Sequence, residues 1–425
     1  MRILVLGSGA REHAIVTSLL AHGDHEVVVS PGNAGIAATP GKVTVSRIDD
    51  ITDGDAVSQF AIDNAIDLVI VGPEAPLIEG VADAPRERGI PVFGPSRLAA
   101  QIEGSKAFAK QVMDEAGVPT GRATRASSLA DAVEAIDTYG APYVVKADGL
   151  AAGKGVLVTS DREAAVEHAE HWLASGAVLA EEFLAGQEVS LFFLSDGHDV
   201  VPLAPAQDYK RLRDGDEGPN TGGMGAYSPL PWLDDAFGSE RAFVERVLET
   251  VAAPVVRQLE QDAMPFIGLL YCGLIVDGDA IKVIEFNARF GDPETQVVLP
   301  RLRAPLAELL FAAATGGLAD TDWPEFSPDV AVGVVVASEG YPEAPVTGRP
   351  IGGFDEALAV HGSLVDHAAT IAGDDGLVAA GGRVLTVVAS ADDFREARSR
   401  VYAAVEKIDL EGGQYRTDIA EKVAR

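Results

Sequence analysis

The stretch 283–294 reads VIEFNARFGDPE and spaces Glu285, Asn287 and Arg289 two residues apart. In an extended strand that spacing puts all three on one face. A carboxylate beside an amide carbonyl offers hard oxygen donors to a divalent cation, and such a cation bridges nucleotide phosphates. An arginine on the same face can stabilise charge on a phosphoryl group in transfer. The Gly-Asp-Pro-Glu turn that follows adds the carboxylates of Asp292 and Glu294. A strand merely facing solvent would accept any polar residues here, so the combination carries the chemistry and the polarity does not.

A second candidate is VVKADGLAAGKGVLV at 144–158. It fails as a Walker A loop: Asp148 stands where the first glycine belongs, and Gly155 follows Lys154 where Ser or Thr must bind magnesium. The pattern instead joins two strands. A Gly-rich hairpin of this kind, with Gly153 and Gly155 in it, can fold over polyphosphate with its N–H groups and Lys154 turned inward. Lys146 ends an apolar strand, where an unpaired ammonium would be costly. A flexible hairpin would explain the glycines but not two lysines in a chain so poor in lysine. Downstream, VLAEEFLAGQEVS sets Glu181, Glu182, Phe183 and Leu184 at a strand end, with Glu188 just beyond. A strand end offers a C=O and an N–H to the adenine edge, and a carboxylate a turn later can take two ribose hydroxyls. Alone this is weak, because paired glutamates usually face solvent. The first Gly-rich turn, Gly7-Ser8-Gly9-Ala10-Arg11, is a poor dinucleotide fingerprint, since Glu12 takes its third glycine position. It is either a tight strand-to-helix turn or a helix start whose N–H groups hold an anion such as a sugar phosphate.

These segments need elements to position them. Over the first hundred or so residues, strand patterns at 2–6, 26–30, 67–71 and 91–93 alternate with helical patterns at 11–21 and 55–64. That alternation predicts a parallel α/β sheet, with ligands beyond the carboxyl ends of its strands, where GSGARE, PGNAG and GPEAPL lie. A helix is expected over 105–116. From 143 to 184 the order strand, turn, strand, helix, strand makes a compact α+β unit. A Gly-rich charged segment (208–227), a helix (242–261) and a hairpin at Asp277-Gly278 follow. The Pro- and Asp-rich stretch 320–329 reads as a linker to a separate small α/β module.

Composition sets the outer limits. The net charge of -32 argues against a nucleic-acid partner held by phosphate contacts. The excess of Asp and Glu over Lys resembles the surface of a protein adapted to high salt. No apolar run approaches the ~20 residues that cross a bilayer, so no membrane partner is expected. Cys272 is the only cysteine, which excludes an intrachain disulfide and fits a reducing, cytoplasmic setting.

Taken in order, Lys106 after an N-terminal α/β domain, Lys146, the Gly-rich lid, the EEFL hinge and E-x-N-x-R resemble the ATP-grasp superfamily. Within it, GSGARE-H, PGNAG, GPEAPL, GSK, VVKADGLAAGKGV, QDYKR, GPNTGGMGAYSP, RFGDPETQ and the tail YRTD resemble the phosphoribosylamine–glycine ligase family across essentially the whole chain. The resemblance implies an α/β and α+β multidomain protein. An N-terminal parallel α/β substrate domain (1–104) would precede an ATP-grasp region (105–325, with a lid at about 120–190) and a small C-terminal α/β module (330–425). It implies ATP as co-substrate with Mg2+ or Mn2+, held by Glu285 and Asn287. Lys106, Lys146, Gly153, Lys154 and Gly155 would meet the nucleotide. Glu181, Glu182, Phe183 and Leu184 would frame adenine, and Glu188 would hold ribose. Asp208, Lys210, Arg211, Gly223, Met224, Arg289, Asp292, Pro293 and Glu294 would surround glycine and the reacting centre. Gly9, Pro31, Gly32, Asn33, Gly35 and Glu74 would meet 5-phosphoribosylamine.

The reaction implied is glycine plus 5-phosphoribosylamine plus ATP giving glycinamide ribonucleotide, ADP and phosphate through glycyl phosphate, in a monomer or weak homodimer. Two departures stand out. Ala10 replaces a usual glycine, and Gly273 stands where many ATP-grasp enzymes carry another metal-binding carboxylate, which leaves one metal or two open. A carboxylase or dipeptide ligase of the same superfamily should lack NTGGMGAYSP and the GDPE turn. A non-catalytic nucleotide-binding regulator would have no use for Glu285, Asn287 and Arg289 together.

Overall fold

The computed structural model describes residues 1–150, 155–374 and 376–425. The N-terminal sheet is five-stranded and parallel, in the order Val43–Val45, Glu26–Pro31, Arg2–Gly7, Leu68–Val71, Val92–Phe93. Its central strand is apolar and buried from Ile3 to Leu6 because both faces are covered there. Leu4 and Leu6 enter one hydrophobic cluster, and Ile3 and Val5 enter another. Since the strands are parallel, the three motif turns emerge together at one edge. The helix expected over 11–21 runs from Ala10 to Ala21. Ala10 is therefore its first helical residue, with a negative φ that an alanine adopts without strain.

The α+β unit is a four-stranded antiparallel sheet, Ala123–Ala126, Val178–Glu181, Tyr143–Ala147, Val156–Thr159. Helices Leu129–Tyr139 and Arg162–Leu173 pack on it through a small core of Val145, Ala165, Ala169 and Ala180. A second antiparallel sheet follows in the order Val200–Pro202, Gln187–Asp196, Ile267–Asp277, Ala280–Asn287. Its hairpin turns at Asp277-Gly278, where Gly278 takes φ 62°. The helix anticipated at 242–261 begins at Glu240 and carries a π-turn, Leu248–Ala252, before Ala253–Gln261. Pro254 has no N–H to give the carbonyl four residues back, which accounts for the widened turn.

The charged 208–227 segment is more ordered than its composition suggests. It forms strands Arg211–Arg213 and Glu217–Asn220 as a ribbon, then Gly225–Ser228. That last strand pairs with Val330–Ala337, so the C-terminal sheet runs Gln207–Asp208, Gly225–Ser228, Val330–Ala337, Arg383–Ala391, Ser363–His367. The module beyond the linker is thus not separate: its sheet continues into the strands that carry Asp208 and the GGMG turn. Sequence patterning missed this because two- to four-residue strands show too little alternation to register.

Candidate active site

The sheets enclose a cavity of about 1310 Å³. Its walls come from the N-terminal domain (Arg11, Glu74), the lid, the hinge, the Ala280–Asn287 strand and the C-terminal module (Tyr341, Arg383). Cationic side chains converge on it although the chain as a whole carries a charge of -32.

On the lid side, Lys146 is 4% exposed and pairs with Glu181 Oε2 at 2.8 Å, while Lys110 reaches Glu181 Oε1 at 3.6 Å. The buried ammonium is therefore compensated. Lys106 Nζ donates to Gly149 O at 3.1 Å. Burial lowers the Lys106 pKa, Glu285 opposes that, and the charge of Lys146 adds to it. At the hinge, Glu182 N–H is spent on Arg122 O at 3.0 Å, so only its carbonyl is left for a base. Leu184 N–H has no protein acceptor among the described residues. Phe183 and Leu150 expose apolar surface to the cavity, 45% and 44%. An open donor, an open carbonyl and two apolar surfaces suit a purine ring. Glu188 Oε2 holds Lys210 Nζ at 2.8 Å. Gly153 and Lys154 lie outside the described residues, whereas Gly155 lines the cavity.

Across the cavity, Glu285 and Asn287 share a strand face that alternates with buried Val283 and Phe286, with a register shift opposite Gly273. Burial pushes the Glu285 pKa up, yet Lys210, Lys146, Lys106 and Arg289 outweigh it and hold the carboxyl below its ordinary value. An ionised carboxylate beside an amide with no protein partner among the described residues fits a divalent cation that keeps water and phosphate ligands. No group of three or more His, Cys, Asp and Glu side chains that could hold a metal occurs among the described residues. At Gly273 an added Cβ would lie 3.2 Å from Glu285 Cγ, so a second carboxylate there would crowd the first.

Arg289 lies past the strand end, which corrects the expectation that it continues the strand face. Its Nε is 3.2 Å from Glu74 Oε2 and its Nη2 is 3.1 Å from Glu103 Oε1. Glu103 also accepts Ala288 N–H at 2.7 Å. Arg289 Nε is buried, and its ion pair with Glu74 falls short of a well-formed hydrogen bond. Nearby, Glu294 Oε1 accepts from Tyr271 Oη at 2.9 Å and Ser190 Oγ at 3.0 Å. Asp208 is pushed up to about 8 by burial, with Lys210 opposing and Glu294, Glu188 and Glu285 adding. Lys210 is lowered by burial but raised more by Glu188, Asp208 and Glu285, and stays charged. Arg211, Asp292 and Glu74 complete the wall.

Several anticipated substrate contacts are not on the wall. Asn33 uses its whole side chain within the protein: Oδ1 accepts Ile36 N–H, and Nδ2 donates to Ser8 O at 2.8 Å and His367 O at 2.7 Å. Gly35 packs on His367, where a Cβ would fall 2.1 Å from the ring. Gly9 N–H is taken by Glu12 Oε2 at 2.6 Å, in place of the anion expected there. Pro31 is exposed at its strand end, and Gly32, at φ 66°, packs on Val45. Met224 is fully buried, and Gly223 and Pro293 touch each other behind the cavity. These glycines serve close packing between turns. Conversely, sequence reading passed over Glu103, Tyr271, Tyr341, Arg383 and Arg11. Arg11, inside the GSGARE turn, and Glu103, immediately before the GSK segment, had a neighbouring signal; the others become neighbours only through folding.

Residues 1–103 match the N domain of phosphoribosylglycinamide synthetase, 104–295 its ATP-grasp (A) domain and 331–422 its C domain. The chain is 63% identical to the phosphoribosylamine–glycine ligase of Leifsonia xyli subsp. xyli over 425 residues, 99% of this chain and 100% of that protein. It is 55% identical to that of Streptomyces coelicolor over 427 residues, covering 100% of both. Among solved structures, the phosphoribosylamine–glycine ligase of Thermotoga maritima superposes with a TM-score of 0.81 at 33% identity, over 98% of this chain and 100% of that one. The biotin carboxylase domain of Hydrogenobacter thermophilus 2-oxoglutarate carboxylase, solved with MgADP, shares the fold alone, with a TM-score of 0.71 at 17% identity over 97% of this chain and 91% of that one. With three domains matched in sequence order around one cavity, the chain belongs to the phosphoribosylglycinamide synthetase family, the ATP-grasp ligases that join glycine to phosphoribosylamine.

Proposed function

We propose that this protein joins glycine to 5-phosphoribosylamine at the expense of ATP, releasing glycinamide ribonucleotide, ADP and phosphate. The observation that carries this reading is one cavity in which the Lys106, Lys146 and Lys210 ammonium groups meet Glu285, Asn287, Arg289 and Asp292. A carboxylate is a poor electrophile, and phosphorylation gives it a leaving group. Glycine's carboxylate oxygen attacks the γ-phosphorus of ATP, forming glycyl phosphate and ADP. The amine of 5-phosphoribosylamine then adds to the acyl carbon, loses a proton and expels phosphate.

The chain's own contribution is position, charge and exclusion of water. Lys106 and Lys146 line the polyphosphate side, and the hinge carbonyl of Glu182 and N–H of Leu184 take the adenine edge. Glu285 and Asn287 would hold Mg2+ or Mn2+, which when bound neutralises phosphate charge. Glu74 and Glu103 fix the Arg289 guanidinium beside the reacting centre, and Lys210 supplies a second positive charge there.

Two measurements test the reading. Glycine labelled with ¹⁸O in its carboxylate should deliver one labelled oxygen to the released phosphate; unlabelled phosphate with amide still forming overturns the acyl-phosphate route. Glu285→Ala should lower kcat by at least about a hundredfold, the equivalent of a few kcal/mol of charge stabilisation. A folded Glu285→Ala protein with near-normal turnover at saturating Mg2+ removes this pair from the metal site.

A further inference from the structure

We propose that Tyr341 and Arg383, both from the C-terminal module, are positioning residues that clamp the GGMG turn against the Asp292 turn and so set the acceptor side of the reaction. This rests on the ligase reading above. The two side chains grip one residue, Gly222, through the peptide groups on either side of its Cα. Tyr341 Oη accepts the Gly222 N–H at 2.9 Å, and Arg383 Nη1 donates to the Gly222 carbonyl. The same guanidinium donates through Nη1 to Asp292 O at 2.7 Å and through Nη2 to Asp292 Oδ2 at 2.9 Å. One planar fork therefore ties two loops that are far apart in the chain, a geometry an ammonium cannot reproduce.

The surrounding packing is built for this grip. A Cβ at Gly382 would fall 2.3 Å from the Tyr341 ring, so a glycine lets the ring lie against the strand. Gly223 takes φ 108°, and a Cβ there would meet Pro293 Cδ at 2.4 Å, so the two turns touch directly. Ser338 ties the clamp's own supports together, its N–H donating to Gly382 O and its hydroxyl to Gly381 O, both at 2.8 Å. Arg383 also helps keep Asp292 ionised: burial pushes that carboxyl up, and Arg383 is the first charge that brings it down. Among the described residues, neither clamp residue makes a hydrogen bond or ion pair with the lysines or hinge of the nucleotide side. Loosening the clamp should therefore alter how the two small substrates sit and spare the nucleotide.

The test uses the full chain and compares ATP affinity with steady-state kinetics. Arg383→Ala should lower kcat/KM for glycine and 5-phosphoribosylamine by about a hundredfold, and Tyr341→Phe, which loses one neutral acceptor, by about tenfold. In both, the Kd for ATP from calorimetry should stay within twofold of the parent value. Added guanidinium ion should restore part of the Arg383→Ala activity, which a merely structural lesion would not allow, and Arg383→Lys should recover little. Two results overturn the proposal: both variants fold and keep kcat/KM within twofold, or ATP affinity falls in parallel with kcat/KM. Should Arg383→Ala fail to fold, Tyr341→Phe decides alone by the same split. Absence of amide formation by the parent protein would instead sink the ligase reading, so the two failures are distinguishable.

Discussion

Asp366, on the Ser363–His367 strand, is 4% exposed and makes no side-chain hydrogen bond among the described residues. Burial raises its pKa well above the ordinary carboxylate value, and the charge of Asp292 adds to the rise. A carboxyl whose folded pKa is raised contributes stability only below its unfolded value and loses it as pH climbs through the folded one. At neutral pH the side chain therefore costs stability, whether it ionises or takes up a proton. Asp366→Asn should raise the thermal midpoint by about 1–3 °C at pH 7.5. That advantage should shrink to nothing below about pH 4, where the unfolded carboxyl is also protonated. A melt series on both proteins from pH 4 to 8 checks this, and an advantage that does not vary with pH contradicts it.

At the scale of elements, the 208–221 excursion that carries Lys210 and Arg211 is held by the chain's tail. Arg416 is 1% exposed; it pairs with Asp418 through Nε at 2.7 Å and Nη2 at 2.6 Å, and with Asp216 Oδ1 at 2.8 Å. It also donates to Arg211 O at 3.1 Å and stacks over the Tyr209 ring at 4.7 Å. Tyr209 Oη in turn accepts the Ala420 N–H at 3.0 Å. Removing the cation leaves Asp418 and a carbonyl without their partner in a low-dielectric pocket. Arg416→Ala should cost about 3 kcal/mol of stability and make the 208–221 ribbon the first site of proteolytic nicking. Denaturant midpoints and a mapped limited digest measure both, and an uncleaved ribbon would mean the excursion holds its shape without the tail.

At the scale of the molecule, the N-terminal domain docks on the C-terminal module through two histidines. His13 lies in the Ala10–Ala21 helix, off the lining of the cavity. Its Nδ1 accepts the His367 N–H at 2.9 Å, and its Nε2 lies 3.0 Å from Thr39 Oγ1. His367 lies 3.1 Å from Thr370 Oγ1 and stacks on Phe354 with centroids 4.9 Å apart. Burial, with the charge of His367 adding, lowers His13 to about 3, and burial lowers His367 to about 4. Both rings are neutral when folded but protonate below about 6.5 when unfolded. The docking is thus fully stable above that value and weakens as pH falls toward 4, by up to about 1.4 kcal/mol per pH unit for each ring. The thermal midpoint should drop between pH 7 and 4.5, and His13→Gln should flatten that slope by about half. An unchanged slope in the variant would assign the acid sensitivity elsewhere.

Much of this protein is legible from local pattern. Strands two-sidedly apolar, as at 3–6 and 68–71, declare a covered parallel sheet because period and burial are properties of consecutive residues. Glu285 and Asn287 share a face for the same reason, and the scarcity of lysine pointed to Lys146 and Lys154, with Lys106 and Lys210 added by the family resemblance. Only the tertiary structure decided what those groups touch. Arg289 spends its fork on Glu74 and Glu103, which lie far back in the chain, and Asn33 closes a seam with the C-terminal module. Tyr341 and Arg383 carry no motif of their own, yet they hold the backbone of Gly222 and Asp292. Periodicity specifies which face of an element is buried, but which side chains meet across elements depends on how sheets abut, and that is set by long-range packing that no window of neighbouring residues contains.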